Sequence, residues 1–98
     1  MHFLWDEHKE RRNRRKHRVS FEAAALIFDD PAILSLPDRF VEGELRWLSI
    51  GLARGLVVLA VAHTVEEDQG EETIRIISAR KASPHERREY ERQGSKTQ

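Results

Sequence analysis

The sequence predicts a single α+β domain with its elements in the order β-α-α-β-β-β-β-α. Three observations carry that prediction. An unbroken apolar run, Val57 to Ala62, ends in His63 and Thr64 and reads as a strand at the sheet centre, covered on both faces. A second segment, Ile74 to Arg80, alternates more loosely just beyond an acidic stretch, so the two read as adjacent strands. The charged segments near both ends open on helix caps: Asp6 before EHKERRNRRKHR, and Ser83-Pro84 with Glu86 three residues on, a capping box with proline at the first position.

Taken in order, His2 to Trp5 is a short apolar opening, an edge strand or a cap over the core. The following helix holds no apolar residue; its one stripe without arginines, Lys9, Asn13 and His17, is expected to face the protein, with Arg11, Arg12, Arg14 and Arg15 lying along the surface. This segment reads either as a solvated charged helix or as a phosphate-binding one. Ser20 caps a second helix, Phe21 to Phe28, which packs Phe21, Ala24, Ala25 and Phe28 on one side and stops at Asp29-Asp30-Pro31. A short strand over residues 32–36 ends at Pro37, and residues 39–43 form a turn. Residues 44–50 alternate as a strand, residues 51–55 turn, and the central strand spans 56–65. Glu66 to Glu71 reads as an acidic loop, residues 72–80 as the last strand, and the chain from Gly94 as a disordered tail, so that residues 1–93 form the domain and 94–98 the tail.

Composition narrows the function classes. The 98 residues are 35% charged and 39% hydrophobic, which allows one modest core under a densely charged surface. Without cysteine there is neither a disulfide framework nor a thiolate zinc site. The apolar run from Leu56 to Ala62 is far shorter than the roughly 20 residues of a membrane span, and Trp5, Asp6 and Glu7 stand where a signal peptide would be apolar. A cytoplasmic protein away from membranes is expected. The net charge is zero, which alone argues against a nucleic-acid partner, but its distribution argues the other way. Residues 1–18 hold seven lysines and arginines against three carboxylates, residues 19–74 three against eleven, and residues 75–98 seven against three. Two basic ends that meet in the fold would make a patch that the net charge hides.

No serine lies in a G-x-S-x-G setting, and there is no Walker loop or dinucleotide fingerprint. The five histidines are scattered, so neither a metal nor a cofactor is expected. His63 ends a buried strand, where a histidine is either structural or catalytic. If the hairpin turns around Gln69, His63 lies opposite Arg75; if it turns between Asp68 and Gln69, Ile74 takes that place. Arg75 and Arg80, five residues apart, face opposite ways in a regular strand and converge only if the strand bulges or ends early. Tyr90 sits on the last helix, where most such tyrosines staple a helix to a sheet.

These residues together resemble the BrnT family of type II toxin–antitoxin toxins. The likeness is carried by Trp5-Asp6, Asn13, Lys16-His17, Val19-Ser20-Phe21-Glu22, Phe28-Asp29-Asp30-Pro31, Glu44, Arg46-Trp47, Ile50-Gly51, His63-Thr64, Arg75-Ile76-Ile77-Ser78-Ala79-Arg80, Glu86-Arg87 and Tyr90-Glu91. The resemblance implies a RelE-like fold, helices packed on an antiparallel sheet, acting as a metal-free endoribonuclease that inhibits translation. It implies a BrnA-like ribbon-helix-helix antitoxin as partner, RNA as substrate, and contact with operator DNA only through the antitoxin. In such a reaction the RNA 2′-hydroxyl attacks the adjacent phosphate, and the protein orients the sugar-phosphate, stabilises charge and moves protons. By the resemblance, His63, Arg75, Arg80 and Tyr90 are the catalytic candidates, with Arg46, Lys81 and Arg87 on flanking RNA. Two features depart from the family: Arg18 stands where glycine usually follows Lys-His, and the carboxylates from Glu66 to Glu72 are unfavourable to RNA. The acidic stretch favours a second reading, a non-enzymatic RelE-like module acting as co-repressor with a DNA-binding partner.

Overall fold

The computed structural model describes residues 1–96, and its elements follow the expected order. They are β1 (His2–Leu4), α1 (Glu7–His17), α2 (Phe21–Ala25) continued by a 3-10 turn (Leu26–Asp29), β2 (Leu34–Val41), β3 (Glu44–Ala53), β4 (Val57–Asp68), β5 (Glu71–Lys81) and α3 (Pro84–Lys96). The five strands form one sheet in the order β1-β5-β4-β3-β2, with the apolar β4 at its centre. The sheet is antiparallel except at one edge, where β1 runs parallel to β5. Helix α3 includes Gly94 and runs to Lys96, so the chain does not leave the helix at residue 93; one glycine near a helix end costs only about 1 kcal/mol. The rest of the expected disordered tail, residues 97 and 98, lies outside the described residues.

The capping signals act as the sequence indicates. The Asp6 carboxylate accepts from the His8 and Lys9 amides, Ser20 Oγ from Ala23, and Ser83 and Glu86 exchange hydrogen bonds reciprocally. Helix α1 ends with Arg18 in the left-handed conformation, φ 60°, where its amide donates to the Arg14 carbonyl.

The strands are longer and the turns tighter than the sequence suggests. Strand β2 continues through Pro37 to Val41, with an irregularity between Pro37 and Arg39. Two connections are two-residue turns with both residues at positive φ, Glu42-Gly43 and Gln69-Gly70, a geometry that matches strand twist and that glycine enters at little cost. The expected acidic loop is therefore mostly strand: Glu66, Glu67 and Asp68 extend β4, and Glu71 and Glu72 open β5.

The sheet alternation divides the core in two. On one face Leu59, Val61, Ile74, Ile76 and Ala79 pack against Val19, Phe21, Ala24 and Ile27 of the α1–α2 side. On the other, Ile50, Ala60 and Ala82 pack with Leu48 and with Tyr90 of α3. Gly51 lets the 3-10 turn approach β3, since a Cβ there would lie 2.9 Å from Ile27 Cβ.

Asn13 anchors α1 as the stripe reading expects, but Glu10 is its buried companion rather than Lys9; each is 7% exposed. The Asn13 amide donates to the Ala79 and Val19 carbonyls at 2.8 and 2.9 Å and accepts from the Ala79 amide at 3.1 Å. It thus pairs with β5 as a neighbouring strand would, beyond the short reach of β1.

Candidate active site on the α3 face of the sheet

The register of β4 against β5 decides which predicted site residues meet. The turn at Gln69-Gly70 sets Asp68 opposite Glu71 and Thr64 opposite Arg75. His63 then lies opposite Ile76, which replaces both registers considered from the sequence. A bulge follows: His63 pairs with Ile76 but Ala62 pairs with Ser78, leaving Ile77 as an extra residue in β5. That one residue shifts the alternation, so Arg80, opposite Ala60, comes to the same face as Arg75. The bulge thus brings the two arginines to one face, though not to one point.

His63 does not join them. It is 2% exposed on the α1–α2 face, with its ring edge-on to Phe28 at 4.9 Å between centroids. Its Nε2 lies 2.6 Å from Ser49 Oγ, which lies 2.7 Å from Ser35 Oγ, and its Nδ1 lies 3.3 Å from the Thr64 carbonyl. A carbonyl only accepts, so Nδ1 carries the proton and Nε2 accepts from Ser49. Burial lowers the pKa of this imidazole, against the opposing pull of the Thr64 carbonyl, and favours the neutral ring. The expected placement of His63 beside Arg75 is corrected: the sheet separates them.

On the α3 face, each of the other three catalytic candidates is tied to a carboxylate. Arg75 pairs with Glu44, which reaches across β4 above Thr64, itself 2% exposed. Arg80 holds Glu86 through both guanidinium nitrogens at 2.7 and 3.0 Å. That fork, against the opposing effect of burial and helped by the Ser83 amide, holds the Glu86 carboxyl at about 2. Tyr90 donates to Asp30 at 2.6 Å; burial and Asp30 together push its hydroxyl up to about 12. Burial alone would raise Asp30, but hydrogen bonds from Tyr90, Leu52 and Ala32 outweigh it and lower its pKa.

Arg46 lies on this face of β3, with Arg39 of β2 directly beside it across the strand pair. Arg39, Arg46 and Arg75 thus form a basic band running across the sheet. Arg39 is mostly exposed and carries one long contact to Asp38, 3.9 Å; the Arg46 Nε is buried without a hydrogen-bond partner. Between this band and Arg80 runs a row of Leu36, Leu48, Ala62 and Ser78, of which Ala62 and Ser78 are the small members. Four regular strand positions separate Thr64 from Ala60, so Arg75 and Arg80 rise from backbone points about 13 Å apart. That spacing suits different phosphates of one strand better than a single shared one.

Two further candidates fall elsewhere. Lys81, opposite Leu59, faces the α1–α2 side and lines a shallow concavity of about 390 Å³ with Arg14 and Arg18. Arg87 is exposed on α3. Sequence reasoning missed Arg39 as a site residue because Pro37-Asp38 reads as the end of a strand, and it missed the partner roles of Glu44, Glu86 and Asp30. Only Glu86 had a local signal, its capping position. Among the described residues no group of three or more histidines, aspartates or glutamates is placed to hold a metal ion, and no helix is long and apolar enough to cross a membrane.

Comparison with known proteins agrees with this architecture. A search of curated proteins gave no match. The chain is similar to the crystal structure of the Brucella abortus ribonuclease toxin BrnT, with a TM-score of 0.64 and 27% identity over 85% of this chain and 97% of that one. The family described as "Ribonuclease toxin, BrnT, of type II toxin-antitoxin system" matches residues 5–86. A match along that length, together with this structural likeness, makes this chain a member of the BrnT family of ribonuclease toxins, whose type II systems pair each toxin with an antitoxin.

Proposed function

We propose that this protein is the toxin of a cytoplasmic type II pair and cuts RNA endonucleolytically, without a metal, by attack of a 2′-hydroxyl on its own phosphate, so inhibiting translation. The observation that carries the reading is the bulge at Ile77, which puts Arg75 and Arg80 on one face beside a band of further arginines. Arg75 and Arg46 hold the reacting phosphate, where planar guanidinium forks match paired phosphate oxygens and stay protonated as charge develops. Arg39 takes a flanking phosphate on one side and Arg80 one on the other, and the sugar between them lies over the small side chains of Ala62 and Ser78. Glu44, partly exposed against Arg75, is the carboxylate placed to accept the 2′-hydroxyl proton. As the 2′-oxygen bonds to phosphorus the P–O5′ bond breaks, the departing 5′-oxygen takes its proton from water, and a 2′,3′-cyclic phosphate is left. Tyr90 acts as a positioning residue: with Asp30 it fixes α3 and so the Glu86 carboxylate that aims Arg80. His63 supports the sheet from the opposite side, and Lys81 and Arg87 lie outside the reacting centre. A BrnA-like ribbon-helix-helix antitoxin neutralises the toxin and supplies any contact with operator DNA.

The test is cleavage of an unstructured RNA by the purified chain in chelator. Arg75→Ala and Arg80→Ala are expected to lower cleavage by at least about 100-fold while thermal unfolding stays cooperative, and to relieve growth arrest on expression without antitoxin. Undiminished cleavage in both variants removes the site. One observation favours a second reading: Arg75 and Arg80 are already neutralised by carboxylates in the free chain. A chain that cuts no RNA yet tightens operator binding by its antitoxin is the co-repressor instead.

A further inference from the structure

The face opposite the arginine band carries an apolar patch at the hairpin tips, beyond the cover of the helices. Phe40 is 72% exposed and Val65 37%. Phe40 pairs with Leu45, Trp47 pairs with His63, and Val65 lies two residues beyond His63, so all four apolar side chains share this face. Leu45 and Trp47 are half-buried beneath them. A strand-borne phenylalanine left this open loses the apolar burial that core residues gain, which marks a surface built for contact.

Next to this patch the β4–β5 hairpin ends in like charges set directly against each other. Glu67 pairs with Glu72, and Asp68 with Glu71. Facing carboxylates across a strand pair destabilise it. Glu71 has nearby cations, the terminal amine at 3.7 Å and His2 at 3.3 Å; among the described residues Glu67, Asp68 and Glu72 have no ion-pair partner. No lysine or arginine lies among Phe40, Leu45, Trp47, Val65, Glu67 and Glu72, so the patch repels RNA. It equally repels the same patch on a second copy.

We infer that this surface docks the antitoxin, through a segment that places apolar side chains on Phe40 and Val65 and lysines or arginines against Glu67 and Glu72. The inference rests on the toxin reading and adds its geometry. The antitoxin would bind the sheet face opposite Arg75 and Arg80, leaving the arginine band itself unfilled.

The experiment uses the full chain and the full-length antitoxin encoded beside it, with binding measured by calorimetry at low and high salt. Wild type is compared with Phe40→Ser and with the Glu67→Lys/Glu72→Lys pair, each checked for cooperative unfolding. Both variants are expected to lose about tenfold or more in affinity, the aromatic anchor at every salt concentration and the charge pair mainly at low salt. Both are expected to cut RNA as wild type does when free. Wild-type affinity in both variants overturns the docking surface and leaves the toxin reading intact. A wild-type chain that binds no antitoxin overturns both. Loss of RNA binding, or of self-association by wild type, in the Phe40→Ser variant assigns the patch to RNA or to a second copy and overturns the inference.

Discussion

Replacing Asn13 with alanine removes three hydrogen bonds from the seam between α1 and the free edge of β5. The side chain is 7% exposed, and its partners are the amide and carbonyl of Ala79 and the carbonyl of Val19. At about 1 kcal/mol net for each bond, the loss comes to about 3 kcal/mol. For a domain of this size that is a fall of about 15 °C in Tm, a large part of a stability of about 5–15 kcal/mol. Chemical and thermal denaturation followed by circular dichroism measure it directly. Asn13→Asp sharpens the test, because it keeps the shape and the acceptor for the Ala79 amide. Its second oxygen, however, faces two carbonyls where a donor is needed, so the aspartate variant should be no more stable than the alanine one. An aspartate variant near wild type, or an alanine variant within 1 kcal/mol of it, would show that the amide contributes packing only.

Three further outcomes follow from the backbone and the core. Arg18→Gly relieves the left-handed residue at the end of α1 and should stabilise by about 1 kcal/mol, raising Tm by roughly 4–8 °C; an unchanged Tm means that the φ of 60° carries no strain. Gly51→Ala drives a methyl group into Ile27 Cβ and the Ile27 carbonyl, 2.9 and 3.2 Å from its position, and should cost about 1–3 kcal/mol in urea unfolding; a neutral result shows that the 3-10 turn moves aside freely. His63 is held below its ordinary 6.5 by burial, so below that value the unfolded chain takes up a proton that the folded chain refuses. Stability should fall as pH drops through 6.5 toward the folded pKa, by at most about 1.4 kcal/mol per pH unit from this group, and His63→Gln should flatten that slope. An equal slope in the variant assigns the acid sensitivity to other groups.

The sequence made the elements and caps legible because their signals are local: Asp6, Ser20 and Ser83 each stand directly before the helix that they cap. Register was harder, because it hangs on a single turn. Gln69-Gly70 has neither the asparagine nor the aspartate that usually announces a turn with two positive φ values, so a glutamine in that conformation left no mark. The bulge at Ile77 is equally silent, since a β-branched residue reads as regular strand. Together these two features put His63 and Arg75 on opposite faces while bringing Arg75 and Arg80 together. In α1 the arginine-free stripe passes one residue away from Glu10, whose carboxylate accepts from the Phe21 amide 11 residues on, a contact that no helical period encodes.

The serine pair beside His63 has a consequence for how the sheet responds to acid. Ser35, Ser49 and the imidazole form a line across three strands in which every hydroxyl hydrogen points inward, because the Thr64 carbonyl fixes which ring nitrogen is bare. Such a line has a direction. A proton arriving at Nε2 turns that nitrogen into a donor, Ser49 must then point its hydrogen at Ser35, and Ser35 must turn its own toward water. One charge taken up at the centre is thereby read at the exposed edge strand as a reversed hydroxyl, some 14 residues away along the chain from the first serine to the second and 14 again to the ring.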